Sequence, residues 1–161
     1  MKILLAIDNS EYSEAALGTV LAQNRPPETE VRVLHVMEPI EFFFSQWAEG
    51  NSPGVYPPQP VELEEVRRTR LKLAQGIVTA AVERLQDAGF RAQSSVCEGD
   101  PRAEIIDRAA EWRADLIVVG SHGRKGLTRF LLGSVSEYVA RHAPCSVEIV
   151  RLPSRVAHPG S

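Results

Sequence analysis

The chain has 161 residues, 43% hydrophobic and 24% charged, with a formal net charge of −3; that length suits one domain with its own core. A slightly acidic chain lacks the basic excess on which nucleic-acid binding relies, and no stretch approaches the length of a membrane span, so no nucleic acid and no membrane is expected as a partner. Cys97 and Cys145 form no CxxC pair, which argues against a zinc site or a disulfide framework and for two reduced, buried thiols; the run Ile3 to Ile7 is too short for a signal-peptide core and lacks a small-residue cleavage site, so the expected location is cytoplasmic.

Ile3-Leu4-Leu5-Ala6-Ile7 is a continuous apolar run, as expected of a strand buried on both faces of a parallel sheet. Asp8-Asn9-Ser10 ends it, and Ser10 is placed to cap a following helix whose apolar stripe is Ala15, Ala16, Val20 and Leu21. Arg25-Pro26-Pro27 stops that helix, and 30–37 reads as a second strand. Residues 38–60 carry five prolines, two glycines, Phe42, Phe43, Phe44, Trp47 and Tyr56. That composition excludes regular structure, and a loop so long is a candidate for a functional element, either a lid or a partner surface, or for aromatics docked on the domain's own core.

From 61 to 88 the periodicity of Leu63, Val66, Leu73, Ile77, Ala81 and Leu85 predicts a helix, with Gly89 as its stop. Residues 90–97 form a third strand. Asp100-Pro101 starts a helix that runs to about Trp112, a capping carboxylate being followed by proline in the first turn. Leu116-Ile117-Val118-Val119 is a fourth buried strand, Gly133-Ser134 opens a last helix that ends before Pro144, and 147–150 forms a fifth strand. Alternating strands and helices define an α/β fold: a five-stranded parallel sheet with helices on both faces. Ligands of such sheets sit beyond the carboxyl ends of the strands, where the winding reverses. Two loops have suitable content, one carrying Asp8 and one carrying glycines.

That second loop holds Gly120, Gly123, Gly126 and Gly133, four of only 11 glycines in the chain. Glycine lets a ligand approach the backbone and lets successive N–H groups converge on phosphate oxygens. A helix starting at Gly133-Ser134 adds unpaired N–H groups and the positive end of its dipole. Ser134 and Ser136 add hydroxyls, while Arg124, Lys125 and Arg129 add positive charge. The loop is neither a GxxxxGK[ST] phosphate loop nor a GxGxxG dinucleotide turn, and spacing alone leaves open a turn that binds nothing.

Gly120, two residues, Gly123, nine residues, Gly133 and Ser134 resemble the nucleotide-binding signature of the universal stress protein family, and Ser134 to Cys145 and Ile3 to Asp8 with Ser10 are similar to that family's other segments. The resemblance covers 1–151 as one domain, is weakest over 38–60, and leaves 152–161 as a disordered tail. It implies a Rossmann-like, adenine-nucleotide alpha hydrolase type of fold with strand order 3-2-1-4-5. It also implies bound ATP, with Asp8 at the ribose and adenine end, Ala6 and Ile7 along that edge, Val36 meeting adenine through its main chain, and Gly120 near the ribose. Gly123, Gly133, Ser134 and Val135 would hold phosphates, with Mg or Mn bound through phosphate oxygens. A homodimer through the last strand, 147–151, and an unknown protein partner are implied as well. Ser146 and Glu148 stand where relatives tend to have proline and an apolar residue, so that Glu148 either weakens an apolar contact or faces solvent.

No residue pattern points to catalysis. His122 lies in the glycine loop and reads as a loop hydrogen bond or a phosphate contact. The other histidines show no metal-ligand spacing, and no GxSxG surrounds a serine. The expected role is that of a nucleotide-dependent stress or signalling regulator with at most slow ATP hydrolysis. The alternative is an interaction module of the same fold that uses no nucleotide.

Overall fold

The computed structural model describes residues 1–26, 28–40, 60–123 and 132–152. The Phe42–Tyr56 aromatics, Arg124, Lys125, Gly126, Arg129 and the tail from Pro153 lie outside the described residues. The elements in order are β1 (Lys2–Ala6), α1 (Glu11–Ala22), β2 (Glu30–Met37), α2 (Pro60–Asp87), β3 (Arg91–Glu98), α3 (Pro101–Trp112), β4 (Leu116–Gly120), α4 (Ser134–His142) and β5 (Ser146–Val150). All four strand pairings are parallel, and the sheet order is β3-β2-β1-β4-β5. This is the order the resemblance implied.

Local chemistry explains the boundaries. Ser10 caps α1, its hydroxyl accepting the Ser13 N–H at 3.1 Å. Asp100 caps α3 by accepting the Arg102 N–H at 3.0 Å, with Pro101 in the first turn. Gly89 adopts φ +90°, the left-handed conformation that lets α2 end and the chain turn into β3.

The central strand β1 is covered on both sides. Ile3, Leu5 and Ile7 join Ala16, Leu17 and Val20 of α1 and Val78, Ala81 and Leu85 of α2 in one cluster. Leu4 joins Leu34, Ile105, Ala109, Ile117, Val119 and Val139 in the other, beneath α3 and α4. Ile3, Leu4 and Leu5 are wholly buried, and burial of each contributes roughly 1.5–3 kcal/mol. Register sets Leu5 beside Val33 and Val118, so that the apolar runs stack across the sheet.

Two expectations are corrected. The inward stripe of α2 is Ala74, Val78, Ala81 and Leu85, whereas Val66 and Leu73 are 42% and 64% exposed. Ala81 and Leu85 of the predicted stripe are thus on the buried face, and Ile77 packs against it. The two thiols are free but half-buried rather than fully enclosed. Burial, then a hydrogen bond with Glu104, pushes Cys97 up to about 11, and burial also raises Cys145.

Candidate functional site

The winding reverses between β1 and β4, neighbours whose chains continue to opposite sides of the sheet. Ala6 and Gly120 end these two strands, and the loops that follow carry Asp8 and Gly123. The Asp8 carboxylate accepts the Ser10 N–H at 3.1 Å through one oxygen. Its other oxygen lies where a Cβ on Gly123 would come within 2.7 Å. The acidic side chain and the glycine loop therefore meet directly across the switch point, and any side chain at 123 would push against Asp8.

Gly120 has a different reason to lack a side chain. A Cβ there would lie 2.7–2.9 Å from Cβ, C and O of Tyr12 in the first turn of α1. Glycine at 120 is thus needed for helix-to-strand packing whatever the loop binds. Tyr12 also packs its ring 5.1 Å from that of His122, tilted by 47°. Ser121 is 2% exposed and anchors the loop: its N–H donates to the Val150 carbonyl at 2.7 Å, and its own carbonyl accepts the Gly133 N–H at 2.8 Å. That carbonyl also accepts the Ser136 hydroxyl at 2.8 Å.

The start of α4 closes the site. Gly133 is its N-cap, without a side-chain capping bond. The first helical bond runs from Glu137 N–H to the Gly133 carbonyl, which leaves the N–H groups of Ser134, Val135 and Ser136 ahead of the ladder. Open N–H groups at the positive end of a helix dipole accept an anion. Ser134 is exposed and Val135 half-buried, while the Ser136 hydroxyl is turned inward onto Ser121 and Gly133. Val36 is half-buried near the end of β2, one residue short of the strand's last.

The structure therefore gathers Asp8, Gly120, His122, Gly123, Gly133, Ser134 and Val135 at one end of the sheet, with Ala6 and Ile7 leading into it. Arg124 lies outside the described residues. A groove of about 330 Å³ between α1 and α2 shares Ile7, Asn9 and Ser10 with this edge. A second, of about 360 Å³, lies at the opposite end of the sheet beside Phe90 and Trp112. Neither is lined by the glycines, so converging backbone groups define the site better than cavity volume does. Among the described residues no three His, Cys, Asp or Glu side chains group as a metal site, and no helix is long and apolar enough to cross a membrane.

Sequence reasoning missed Tyr12 and Ser121. Tyr12 follows Ser10 by two residues, and a large side chain in the first turn after β1 reaches whichever loop is next door; that neighbour becomes known only with the sheet order. Glu148, partly exposed, also has partners within its own chain. Its carboxylate is clasped within the chain by Gln23 Nε2 at 2.7 Å and Arg25 Nη2 at 3.1 Å, and Arg25 also contacts Gln23.

An α/β domain of this strand order has its ligand crevice at the switch point, which is where Asp8 and the glycine loop meet. The sequence profile of the universal stress protein family matches residues 1–151, and the chain belongs to that family. It is 34% identical to universal stress protein YxiE of Bacillus subtilis over 150 residues, 93% of this chain and 98% of that protein. It superposes on the solved structure of MJ0577 from Methanocaldococcus jannaschii with a TM-score of 0.78 at 29% identity, covering 95% of this chain and 96% of the other. A family protein from Arabidopsis thaliana, solved with AMP bound, shares the fold at 17% identity and a TM-score of 0.65, covering 96% and 93% of the two chains.

Proposed function

We propose that this universal stress protein binds ATP at the β1/β4 switch point and acts in the cytoplasm as a nucleotide-dependent regulator, with at most slow hydrolysis. The observation that carries this reading is the uncapped start of α4, whose open N–H groups lie in the same loop cluster as Gly123 and the Asp8 carboxylate. A carboxylate repels phosphate and accepts hydroxyl donors, so the nucleotide lies with its ribose at Asp8 and its phosphates at the helix. Ala6, Ile7 and the Val36 main chain flank the base; Gly120 adjoins the sugar. His122, Gly123, Gly133, Ser134, Val135 and Ser136 serve the phosphates, mostly through N–H groups, and Arg124 adds charge. Mg or Mn is held through phosphate oxygens, the habit of small hard cations. The AMP bound to the Arabidopsis relative accords with an adenine nucleotide.

A homodimer through 147–151 is part of the same proposal. In its favour, β5 is an edge strand whose Val147, Glu148, Ile149 and Val150 are half-buried, and Glu148 is already satisfied within its own chain. An unidentified protein would receive the signal. The second reading, an interaction module without nucleotide, is favoured by the apolar side chains that α2 exposes, Val61, Val66 and Leu73.

Isothermal titration with ATP and Mg, set beside ADP, AMP and cyclic AMP, separates the two. Saturable binding of ATP is expected, falling on the order of tenfold or more in Gly133→Val, since the loss of charge-assisted N–H contacts costs at least that much. No binding of any adenine nucleotide, with none carried through purification, would favour the interaction module.

A further inference from the structure

Among the described residues, one ring nitrogen of His122 is engaged. Nδ1 lies 3.2 Å from the Ser121 hydroxyl, while the described residues offer Nε2 no hydrogen bond. Ser121 itself cannot readily move. Its N–H is tied to Val150 and its carbonyl to Gly133 and Ser136, and the residue is 2% exposed. Its hydroxyl has His122 Nδ1 as its one hydrogen-bond partner among the described residues.

Two arrangements of protons are open to this pair, and burial decides between them. If Nδ1 carried the hydrogen, it would donate to Ser121 Oγ. The buried Ser121 O–H would then have no acceptor among the described residues, and an unspent buried donor costs about 1–3 kcal/mol. If Nδ1 is bare, the hydroxyl donates to it and the remaining hydrogen sits on Nε2, which no described residue engages. The second arrangement leaves the buried hydroxyl satisfied.

We propose that Ser121 is a positioning residue that holds neutral His122 as its Nε2–H tautomer, adding one side-chain N–H donor to the site at the start of α4. Such a donor suits an acceptor-only group such as a phosphate oxygen. It also keeps His122 from ligating a metal through Nε2, since a protonated ring nitrogen has no lone pair to give. The use made of this donor rests on the nucleotide reading above; the tautomer itself does not.

Long-range ¹⁵N–¹H NMR of the full chain without nucleotide, at about pH 8 and above the ordinary imidazole range, reads the tautomer directly. The spectrum of His122→Gln identifies the His122 signals. The expected result is a pyrrole-type Nε2 and a pyridine-type Nδ1, changing to a mixture of tautomers in Ser121→Ala. A pyrrole-type Nδ1 in the wild type overturns the proposal without need of any variant. ATP titration adds a second readout: Ser121→Ala weakens binding by about threefold to tenfold, the worth of one hydrogen bond. Ser121→Thr, which keeps the hydroxyl, restores it. His122→Gln, whose amide N–H reaches near the Nε2 position, binds better than His122→Leu. Unchanged tautomer and unchanged affinity in Ser121→Ala would reduce Ser121 to a packing residue. Should the wild type bind no nucleotide, the phosphate role falls, and the spectrum still decides what Ser121 does.

Discussion

Gly120 and Gly123 sit three residues apart, yet a methyl group at each would strike something different. At 120 it meets the backbone and Cβ of Tyr12 at 2.7–2.9 Å, and backbone has nowhere to go. At 123 it meets the end of one carboxylate side chain, Asp8, at 2.7 Å, which can swing aside. Gly120→Ala is therefore expected to lose about 1–3 kcal/mol of stability or more, the range for overpacking. Gly123→Ala should lose much less stability but weaken nucleotide binding, because it displaces Asp8. Urea unfolding and ATP titration of the two variants check this; equal stability losses would show that the α1 contact at Gly120 is looser than described. The same pair marks how far the site was legible in advance. The spacing of the glycines and the acidic residue after β1 were visible in the chain. That Gly120 serves packing and Gly123 serves Asp8 depends on which helix lies against β4, and no local pattern encodes that.

At the scale of elements, capping chemistry made most boundaries readable, since Ser10, Gly89 and Asp100-Pro101 act through neighbours two or three residues away. The face of α2 was not readable in the same way. Ala81 and Leu85 of the predicted stripe are buried, with Ala74 and Val78, while Val66 and Leu73 fit the period and yet are exposed; which turns lie against the sheet depends on the tertiary contact and not on the local pattern. Helix α3 offers a test with a definite sign. Asp100 caps it, and the hydrogen bond from the Arg102 side chain holds its carboxyl below the ordinary 3.8. A lowered folded value means stability that is present above 3.8 and lost as pH falls through the folded value. The pair is nearly half exposed, so solvent screens its charge contribution, and the cap supplies most of the effect. Asp100→Ala should cost about 1 kcal/mol at neutral pH. The gap to wild type should narrow as pH falls below 3.8, measured by urea unfolding at each pH. A gap that widens in acid would contradict the assignment.

For the molecule as a whole, binding and stability are linked. A ligand present at about 100 times its Kd stabilises the folded state by about 2.7 kcal/mol, and in a domain of this size each kcal/mol moves Tm by about 2–4 °C. Thermal unfolding with excess ATP and Mg is therefore expected to shift upward by roughly 5–10 °C. Gly133→Val should abolish most of that shift, and light scattering of the wild type should give twice the mass of one chain. An unchanged Tm at saturating ATP, or a monomer mass at high concentration, would remove the nucleotide or the dimer from the proposal separately.

The amide of Ser121 rests on the carbonyl of Val150, the last residue of the outermost strand. One bond thus joins the rim of the sheet to the segment that would cradle the ligand. If another copy docks along that rim, the same short link lies between its contact and the ligand's, and any coupling of the two can be measured as a change in either affinity. Thermodynamics then imposes symmetry: whatever factor a bound ligand adds to the self-association constant, self-association must return to the ligand.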